Sequence, residues 1–380
     1  MPQLPISDEY FNRSAAVVSD TAQYNSKVRY CVFARQGGVL CGINHAVGFI
    51  EKQCLGPLTI HARYDGDPFA ADEAVMIVEG LFGELVNLET TYLGMLAFSG
   101  ASSQMDQIVK AADGVPVIDM AARHYPYEII EQIAYAAAIG GAQGTSTQAG
   151  YQGVLRWLGT GKGDFIQVRN HPPFEFKLYG SIPHALNAVF EGSSIESARA
   201  FQKKLPHIPL TVLIDFEGRE LDIAQQAART FGASLFAVRI DTHGGRVHQG
   251  GHEKPVPELV EGILRNTPDK DAARAALAKY GFGKGVTIES VYNVRRALDQ
   301  AGAPSAKITV SSGFTAEKVA AFRICRAPMD AIGTGSWVTF LMFTSDITHV
   351  FENGQWLPRG KCGRKDEISL PRLELRLKRN

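Results

Sequence analysis

The chain has 380 residues, and its 39 Lys and Arg residues balance its 39 Asp and Glu residues, so that the formal net charge is zero. This length allows a large buried core in two or three domains. A neutral chain has no basic field that attracts nucleic acid or an anionic membrane surface, so any anionic ligand must be held by local geometry. No apolar run is long enough to span a bilayer, and the first residues lack the pattern of a secretory signal. We therefore expect a cytoplasmic protein with neither nucleic-acid nor membrane partners.

Residues 1–114 predict a β-rich α+β domain. The polar start of the chain carries two adjacent aromatics, Tyr10 and Phe11, after which short apolar runs alternate with glycine turns. The sequence Asp65-Gly66-Asp67 follows one alternating run and predicts a hairpin, and residues 89–98 predict a helix. The aromatic pair either anchors a terminal arm or stacks on a flat ring. The sequence leaves both interpretations open.

From residue 115 to residue 345 the pattern changes to repeated strand and helix units, which are typical of a parallel sheet with crossover helices. About seven strands can be counted there, which predicts an α/β barrel, complete or incomplete. A polar stretch, residues 155–176, interrupts the pattern with two prolines and several glycines and predicts irregular structure. Residues 346–380 predict an irregular tail that packs back on the N-terminal domain.

Polar residues follow most of the predicted strands of the barrel. In such a fold the loops after the carboxyl ends of the strands form the functional site. The candidate site residues at these ends are Arg123 and His124, Thr145 and Ser146, His184, Asp215, and Arg239 and Asp241. Because Arg239 and Asp241 are two apart on a strand, both should point to the same side, where a cation and a carboxylate can serve a ligand with an acid group and hydroxyls. For each residue taken alone, an ion pair at the barrel rim is the alternative.

His184 follows Pro183 and precedes a predicted helix, so its imidazole should lie near a positive helix end. A lone histidine is more often structural than chemical. Here the polar residues at the other strand ends favour a chemical role for His184, because a neutral imidazole beside phosphates can act as a nucleophile or carry a proton.

Two glycine turns follow the last two predicted strands, residues 307–310 and 330–332. The first turn is Ser311-Ser312-Gly313, and the second is Gly333-Thr334-Gly335-Ser336. Such turns expose backbone N–H groups, and glycine tolerates both a positive φ and the close approach of an anion. Either turn alone is equally consistent with an ordinary surface turn. Side by side, the two predict a phosphate site at the end of a barrel.

The order and spacing of these motifs resemble the nicotinate phosphoribosyltransferase family between about residue 7 and residue 340. The segments that carry the resemblance are SDEYFNR, NLETTYLGMLA, AAAIGGAQGTST, GSIPHAL, LIDF, AVRIDTHGGR, VSSGF and AIGTGS. The resemblance implies a type II phosphoribosyltransferase fold, in which a β-rich N-terminal domain packs against an α/β barrel. It also implies a homodimer or larger homo-oligomer with active sites shared between subunits.

The resemblance further implies a reaction of NAD biosynthesis. Nicotinate and phosphoribosyl pyrophosphate would give nicotinate mononucleotide and pyrophosphate, with Mg²⁺ as cofactor and ATP as co-substrate. ATP would phosphorylate His184, Arg239 would meet the pyridine carboxylate, and Asp241 would meet the ribose hydroxyls or Mg²⁺. The remaining implied roles are pyrophosphate binding by Arg123 and Arg246, 5′-phosphate binding by Ser311, Ser312, Gly313, Gly333, Thr334 and Gly335, and stacking on the base by Tyr10 or Phe11 from a neighbouring subunit.

The sequence departs from the family near the expected binding site of the pyridine base. Met120 stands where the family has a phenylalanine that stacks on the pyridine, and Thr147 replaces a usual asparagine. The stretch 155–176 is longer than in the family. Two alternatives therefore stay open. One is quinolinate phosphoribosyltransferase or a transferase for another base, since arginines between Arg156 and Arg169 could serve a diacid. The other is a non-catalytic nucleotide-binding protein.

Overall fold

The computed structural model describes residues 4–169, 171–363 and 373–380. Residue 170 of the predicted polar stretch and residues 364–372 of the predicted tail lie outside the described residues. The α-helices are α1 (Glu9–Val18), α2 (Ile43–Gln53), α3 (Phe82–Leu85), α4 (Glu89–Leu96), α5 (Ser99–Ala112), α6 (Ile130–Ile139), α7 (Gln148–Leu158), α8 (His184–Val189), α9 (Ser194–Lys204), α10 (Glu220–Phe231), α11 (Pro257–Arg265), α12 (Lys270–Tyr280), α13 (Ile288–Gln300) and α14 (Ala316–Ile324).

The strands form two large sheets and two short ribbons. They are β1 (Lys27–Ala34), β2 (Gly38–Val39), β3 (Leu58–Ala62), β4 (Pro68–Phe69), β5 (Ala74–Leu81), β6 (Val117–Asp119), β7 (Gly144–Thr145), β8 (Phe165–Ile166), β9 (Phe174–Glu175), β10 (Lys177–Leu178), β11 (Leu210–Leu213), β12 (Leu235–Ile240), β13 (Lys307–Val310), β14 (Ala331–Thr334), β15 (Phe343–Glu352), β16 (Gln355–Pro358) and β17 (Glu374–Arg379).

The larger sheet has seven strands in the order β10-β7-β6-β14-β13-β12-β11. All neighbouring strands in it are parallel. Its two edge strands, β10 and β11, do not pair with each other, so the sheet curls without closing. Its strands carry fully buried branched residues such as Ile308, Val310 and Ile332, because helices cover a parallel sheet and leave it little contact with water. The predicted α/β barrel is confirmed in its incomplete form.

The second sheet is antiparallel and has six strands in the order β16-β15-β1-β5-β3-β17. The hairpin predicted at Asp65-Gly66-Asp67 has a longer connection than a tight turn, because β3 and β5 pair antiparallel and the segment between them contains these residues and β4, which pairs with β2. Asp65 is buried, and its carboxylate accepts hydrogen bonds from the amides of Ile43 and Asn44. The acidic turn therefore also caps the N-terminus of α2.

The tail predicted to be irregular is mostly strand in its described part. β15 pairs with β1 and β17 pairs with β3, so the segment does pack back on the N-terminal domain, but as part of its sheet. The domain boundary predicted after residue 345 falls inside β15. The polar stretch is also less irregular than predicted, because α7 extends to Leu158 and β8 pairs with β9.

Each sheet has its own apolar core, and α6 joins the two regions. Tyr135 of α6 donates a hydrogen bond of 2.7 Å from its hydroxyl to the carboxylate of Asp65. Within the described ranges, no helix combines the length and the apolar character that crossing a membrane requires.

Candidate functional site

A cavity of about 540 Å³ opens at the carboxyl edge of the parallel sheet. Its walls are residues at the carboxyl ends of β6, β11, β12, β13 and β14 and in the loops after them, together with the start of α8. The lining residues are Met120, Arg123, His124, His184, Asp215, Phe216, Arg239, Asp241, His243, Arg246, Ser311, Ser312, Gly313, Gly333, Gly335 and Ser336. Most of the predicted site residues are therefore brought together in one place.

Five predicted site residues do not line this cavity. They are Tyr10, Phe11, Thr145, Ser146 and Thr334. The two aromatics lie on α1 with their ring centroids 4.2 Å apart, and the Tyr10 side chain is exposed. Ser146 is exposed, whereas the buried Thr145 hydroxyl donates to the Asp119 carboxylate at 2.9 Å.

Thr334 fails to reach the cavity for a simple geometric reason. Its hydroxyl is buried and donates to the carbonyl oxygen of Phe314 at 2.8 Å. Successive residues of a strand face opposite sides, so Gly333 and Gly335 line the cavity while Thr334 points away from it.

Arg239 is held flat in the cavity wall by three neighbours. Its Nε donates to Ser311 Oγ at 2.9 Å, its Nη1 to Ser181 Oγ at 3.1 Å, and its Nη2 to Asp241 Oδ2 at 2.9 Å. The other oxygen of Asp241 accepts from Ser311 at 2.7 Å. A guanidinium has five N–H donors, so two remain for a ligand after these three bonds. The wall thus presents a fixed cation that suits a carboxylate.

His184 begins α8 and is paired with a buried carboxylate. Its Nε2 lies 3.1 Å from Asp215 Oδ2, and the two side chains are 44% and 6% exposed respectively. Burial raises the pKa of Asp215 above its ordinary value, and the hydrogen bond with His184 opposes that rise. Because an ionised carboxylate only accepts hydrogen bonds, this contact favours a proton on Nε2, and in the neutral imidazole Nδ1 then has the lone pair.

Arg246 reaches the cavity from the loop after β12, where Glu220 anchors it. Its Nη2 donates to Glu220 Oε1 at 2.5 Å and to the Asp215 carbonyl oxygen at 2.8 Å. Glu220 is 1% exposed, and its other oxygen accepts from the Gln249 amide at 3.0 Å. Despite the cost of burial, these hydrogen bonds, chiefly the one from Arg246, lower the pKa of Glu220. The carboxylate therefore stays charged and fixes Arg246.

The two glycine turns meet at the cavity as the pattern predicted. In the part of the chain that the structure describes, the amides of Ser312, Gly313, Gly335 and Ser336 donate no hydrogen bond. Ser312 and Gly313 have φ of 78° and 71°, a backbone form that presents successive N–H groups to an anion. Unpaired donors in two adjoining turns provide the chemistry of a phosphate site.

Met120 lies against the second turn. A Cβ placed on Gly333 would come within 2.6 Å of the Met120 sulfur and methyl carbon. Gly333 has no positive φ, so a larger residue at this position would only have to displace the flexible end of Met120. Met120 therefore occupies part of the cavity wall and helps set the space left for a flat ring.

Sequence reasoning missed several residues of the site. Phe216 and His243 line the cavity, whereas Ser181 and Glu220 accept hydrogen bonds from two of its arginines. Phe216 directly follows Asp215, and Ser181 lies in the loop before His184, so proximity to predicted residues was a usable signal for both. Glu220 had no such signal, because its partner is 26 residues away.

Comparison with known proteins adds an independent line of support. A family model described as quinolinate phosphoribosyl transferase, N-terminal domain, matches residues 8–99. A crystal structure of nicotinate-nucleotide pyrophosphorylase from Pyrococcus furiosus is 25% identical, with a TM-score of 0.71 over 94% of this chain and 77% of that chain. The fold is that of the type II phosphoribosyltransferases. The predicted resemblance to this group is confirmed, and the comparisons support an enzyme of this class.

More distant structures of the type II phosphoribosyltransferase fold agree in architecture. Human nicotinic acid phosphoribosyltransferase is 14% identical, with a TM-score of 0.58 over 93% of this chain and 75% of that chain. The nicotinate-nucleotide pyrophosphorylase from Francisella tularensis is 13% identical, with a TM-score of 0.53 over 89% of this chain and 95% of that chain. A search of curated protein sequences gives no significant match.

Proposed function

We propose that the protein transfers the phosphoribosyl group of phosphoribosyl pyrophosphate to nicotinate, giving nicotinate mononucleotide and pyrophosphate. The observation that carries this proposal is the His184–Asp215 pair, which lies in the same cavity as the anchored Arg239 and the two turns with free amides. A fixed guanidinium suits the single carboxylate of nicotinate. The turns suit the 5′-phosphate, and Arg123 and Arg246 suit the pyrophosphate.

The choice between a monoacid and a diacid base depends on the supply of cations. The arginines of the polar stretch do not enter the cavity, because Arg156 pairs with Glu131 and Arg169 pairs with Asp67 and Glu374. Three arginines, at 123, 239 and 246, line the cavity. Two of them, Arg123 and the anchored Arg246, are assigned to pyrophosphate. Arg239 therefore remains for the base, and a single guanidinium favours a base with one carboxylate.

Quinolinate is the second candidate base. The matching family model is named for quinolinate phosphoribosyl transferase, and both this match and the similarity to the nicotinate-nucleotide pyrophosphorylase structure favour quinolinate. That match ends at residue 99, whereas the lining of the cavity begins at Met120. It therefore supports the fold of the first domain more strongly than the identity of the base.

The proposed reaction is a displacement at the anomeric carbon of the sugar. The pyridine nitrogen forms a bond to this carbon while the bond to the pyrophosphate oxygen breaks, and the electron pair leaves with pyrophosphate. Arg239 would orient the ring through its carboxylate, and Asp241 would face the ribose hydroxyls. Because these groups are already held in place, little reorganisation is needed as charge develops.

Mg²⁺, when bound, would neutralise charge on the pyrophosphate. The described residues contain no group of three acidic, histidine or cysteine side chains that could hold a metal by itself. Asp215 Oδ1 is buried without a hydrogen-bond partner in the described residues, whereas both oxygens of Asp241 are bonded. Since Mg²⁺ often binds through one or two carboxylates and substrate phosphates, we assign it to the pyrophosphate together with Asp215 and, after rearrangement, Asp241.

ATP assistance is assigned to His184. Its Nδ1 lone pair would attack the γ-phosphorus of ATP, and the bond to the β-phosphate oxygen would break so that ADP leaves. Asp215 would hold the ring and stabilise the imidazolium character that develops.

Tyr10 and Phe11 would face the cavity of a neighbouring subunit, so the proposal includes a homodimer or larger oligomer that light scattering can detect.

The base is tested by steady-state kinetics with phosphoribosyl pyrophosphate and nicotinate, quinolinate or nicotinamide, with and without ATP. We expect turnover of nicotinate, stimulated by ATP. Turnover of quinolinate with release of CO₂, and none of nicotinate, would assign the second base. Absence of turnover with every pyridine would reject the reaction.

The role of His184 is tested separately with His184→Ala. We expect this variant to lose ATP stimulation and to keep a slow transfer reaction, because the groups that bind the sugar and the base remain. The measurement is the ratio of rates with and without ATP. An unchanged ratio would contradict the phosphohistidine role. His207→Ala, on the surface between α9 and β11, is the matched control.

A further inference from the structure

Lys318 lies in the first turn of α14, next to the turn formed by residues 311–313. Thr315 caps this helix, and its hydroxyl oxygen accepts a hydrogen bond from the Lys318 amide at 3.3 Å. At this third helical position Glu or Gln would complete a capping box. A cation there faces the positive helix end, which disfavours it. The local chemistry of the helix therefore gives no reason for a lysine.

The ammonium of Lys318 is packed among apolar and neutral groups. Its Nζ donates to the Ser312 carbonyl oxygen at 3.2 Å and lies 4.4 Å from the ring centroid of Phe314 and 5.7 Å from that of Phe322. Burial lowers the pKa of Lys318 to about 8. A lysine held in this way lacks its counter-charge in the described chain.

The acidic groups on the elements around α14 are paired with cations other than Lys318, including Asp271 with Arg274 on α12. On α5, Lys110 pairs with Asp106 at 2.7 Å. On α12, Lys279 pairs with Glu317 at 2.5 Å. On α14 itself, Arg323 pairs with Asp113 at 3.3 Å. The missing counter-charge of Lys318 must therefore come from outside these pairs.

The bond to Ser312 also determines the direction of a backbone donor. In a trans peptide the C=O and the following N–H point in opposite directions. Because Lys318 holds the Ser312 carbonyl oxygen, the Gly313 N–H points away from Lys318. Gly313 lines the cavity, and its amide donates to no group in the described chain.

We propose that Lys318 is a positioning residue for the phosphate turn, which directs the Gly313 amide into the cavity and places a positive charge behind the bound 5′-phosphate. This inference rests on the proposed function, since it takes the phosphate to be that of phosphoribosyl pyrophosphate. The bound dianion supplies the counter-charge that the folded chain lacks, so phosphate binding and the protonation of Lys318 support each other.

This coupling has a definite sign with pH. A bound phosphate favours the ammonium form, so binding above pH 8 requires the uptake of a proton by Lys318. The KM for phosphoribosyl pyrophosphate therefore rises as pH increases through about 8. An arginine at this position keeps its charge over this range and should remove the effect.

The test uses Lys318→Met, which keeps an unbranched stem against Phe314 and Phe322 and removes the charge and the donor. We expect the KM for phosphoribosyl pyrophosphate to rise about tenfold at pH 7, with kcat changed less than twofold, and to become independent of pH between 7 and 9. Lys318→Arg should keep a low KM across the same range. Lys307→Met is the control, because exposed Lys307 also lies over a ring, 5.0 Å from the centroid of Phe236.

Calorimetry with ribose 5-phosphate separates this inference from the proposed function. Weaker binding to Lys318→Met than to the parent supports the role of Lys318 even if no pyridine is turned over. Equal binding to both proteins rejects it, even if nicotinate is a substrate. If Lys318→Met does not fold, Lys318→Arg decides alone, because a parent-like rise of KM above pH 8 in that variant contradicts the inference.

Discussion

The two large sheets of this protein are assembled from the chain in opposite ways. The parallel sheet takes its strands from one continuous stretch, residues 117–334, and ends in a cavity lined by polar groups with unused donors. The antiparallel sheet combines β1, β3 and β5 with β15, β16 and β17 and encloses an apolar core. We expect substitutions at the edge of the first sheet to change activity more than stability, and substitutions inside the second to change stability alone.

The largest effect is expected for Arg239→Met. Loss of the anchored guanidinium should lower kcat/KM for nicotinate by about 10³-fold, or about 4 kcal/mol, because a charge-assisted contact in a partly buried site is removed. Steady-state kinetics with nicotinate as the varied substrate measure this loss. Ser181→Ala removes only one of the three bonds that hold Arg239 and should cost much less. Equal losses in both variants would contradict the proposed carboxylate contact.

The complementary variant is Ile60→Ala in the antiparallel sheet. Ile60 is fully buried on β3, so the cavity left by truncation should lower the free energy of unfolding by about 3 kcal/mol. Urea denaturation provides the measurement. The kcat of the folded enzyme should not change. A large change in kcat at unchanged stability would show that the two regions do not divide function and stability as described.

A smaller effect is expected where the two regions join. Tyr135→Phe removes the hydroxyl that donates to Asp65 at 2.7 Å, and should lower the free energy of unfolding by about 1–2 kcal/mol, since the acceptor is a buried carboxylate. Tyr127→Phe, at an exposed residue just before α6, is the control. Denaturation of Tyr135→Phe can be monitored separately in the two regions. Two separate transitions would show that the hydrogen bond helps the two regions unfold together.

The last effect concerns pH and lies within the antiparallel region. Burial, and then Asp346 and Asp8, raise the pKa of Glu89 from 4.5 to about 7. Because the folded state favours the protonated acid, this contribution to stability is complete below pH 4.5 and is lost as pH rises through about 7. Glu89→Gln should flatten the decline of the unfolding free energy between pH 5 and pH 8. An identical decline in both proteins would argue against this assignment.

The parallel sheet and much of its cavity could be predicted from the sequence because their signals are local. Arg239 and Asp241 sit two apart at the end of β12, and the glycine turns lie at the ends of β13 and β14. The wrong assignments of cavity-lining residues also come from short local segments. For two-residue β7 and four-residue β14, the sequence could not establish which residues face the cavity, so Thr145 and Thr334 were assigned to it although both are turned into the protein.

The antiparallel sheet could not be predicted in the same way, because its pairings join distant residues. Val32 of β1 lies opposite Ser345 of β15, and no pattern near either residue identifies the other. The same holds for Asp65, whose partner Tyr135 is 70 residues away. Polar residues such as these resemble turn or tail signals, because the local sequence does not identify their distant partners.

The joining of early and late strands in one sheet has a consequence for synthesis on the ribosome. While the first hundred residues emerge, β1 and β3 each have an open edge, and these edges stay open until β15 and β17 have been translated. Unpaired strand edges can recruit other chains. During translation the growing polypeptide therefore has to keep these two edges from pairing with neighbouring nascent chains, and a premature stop codon after the parallel sheet would release a product with both edges uncovered.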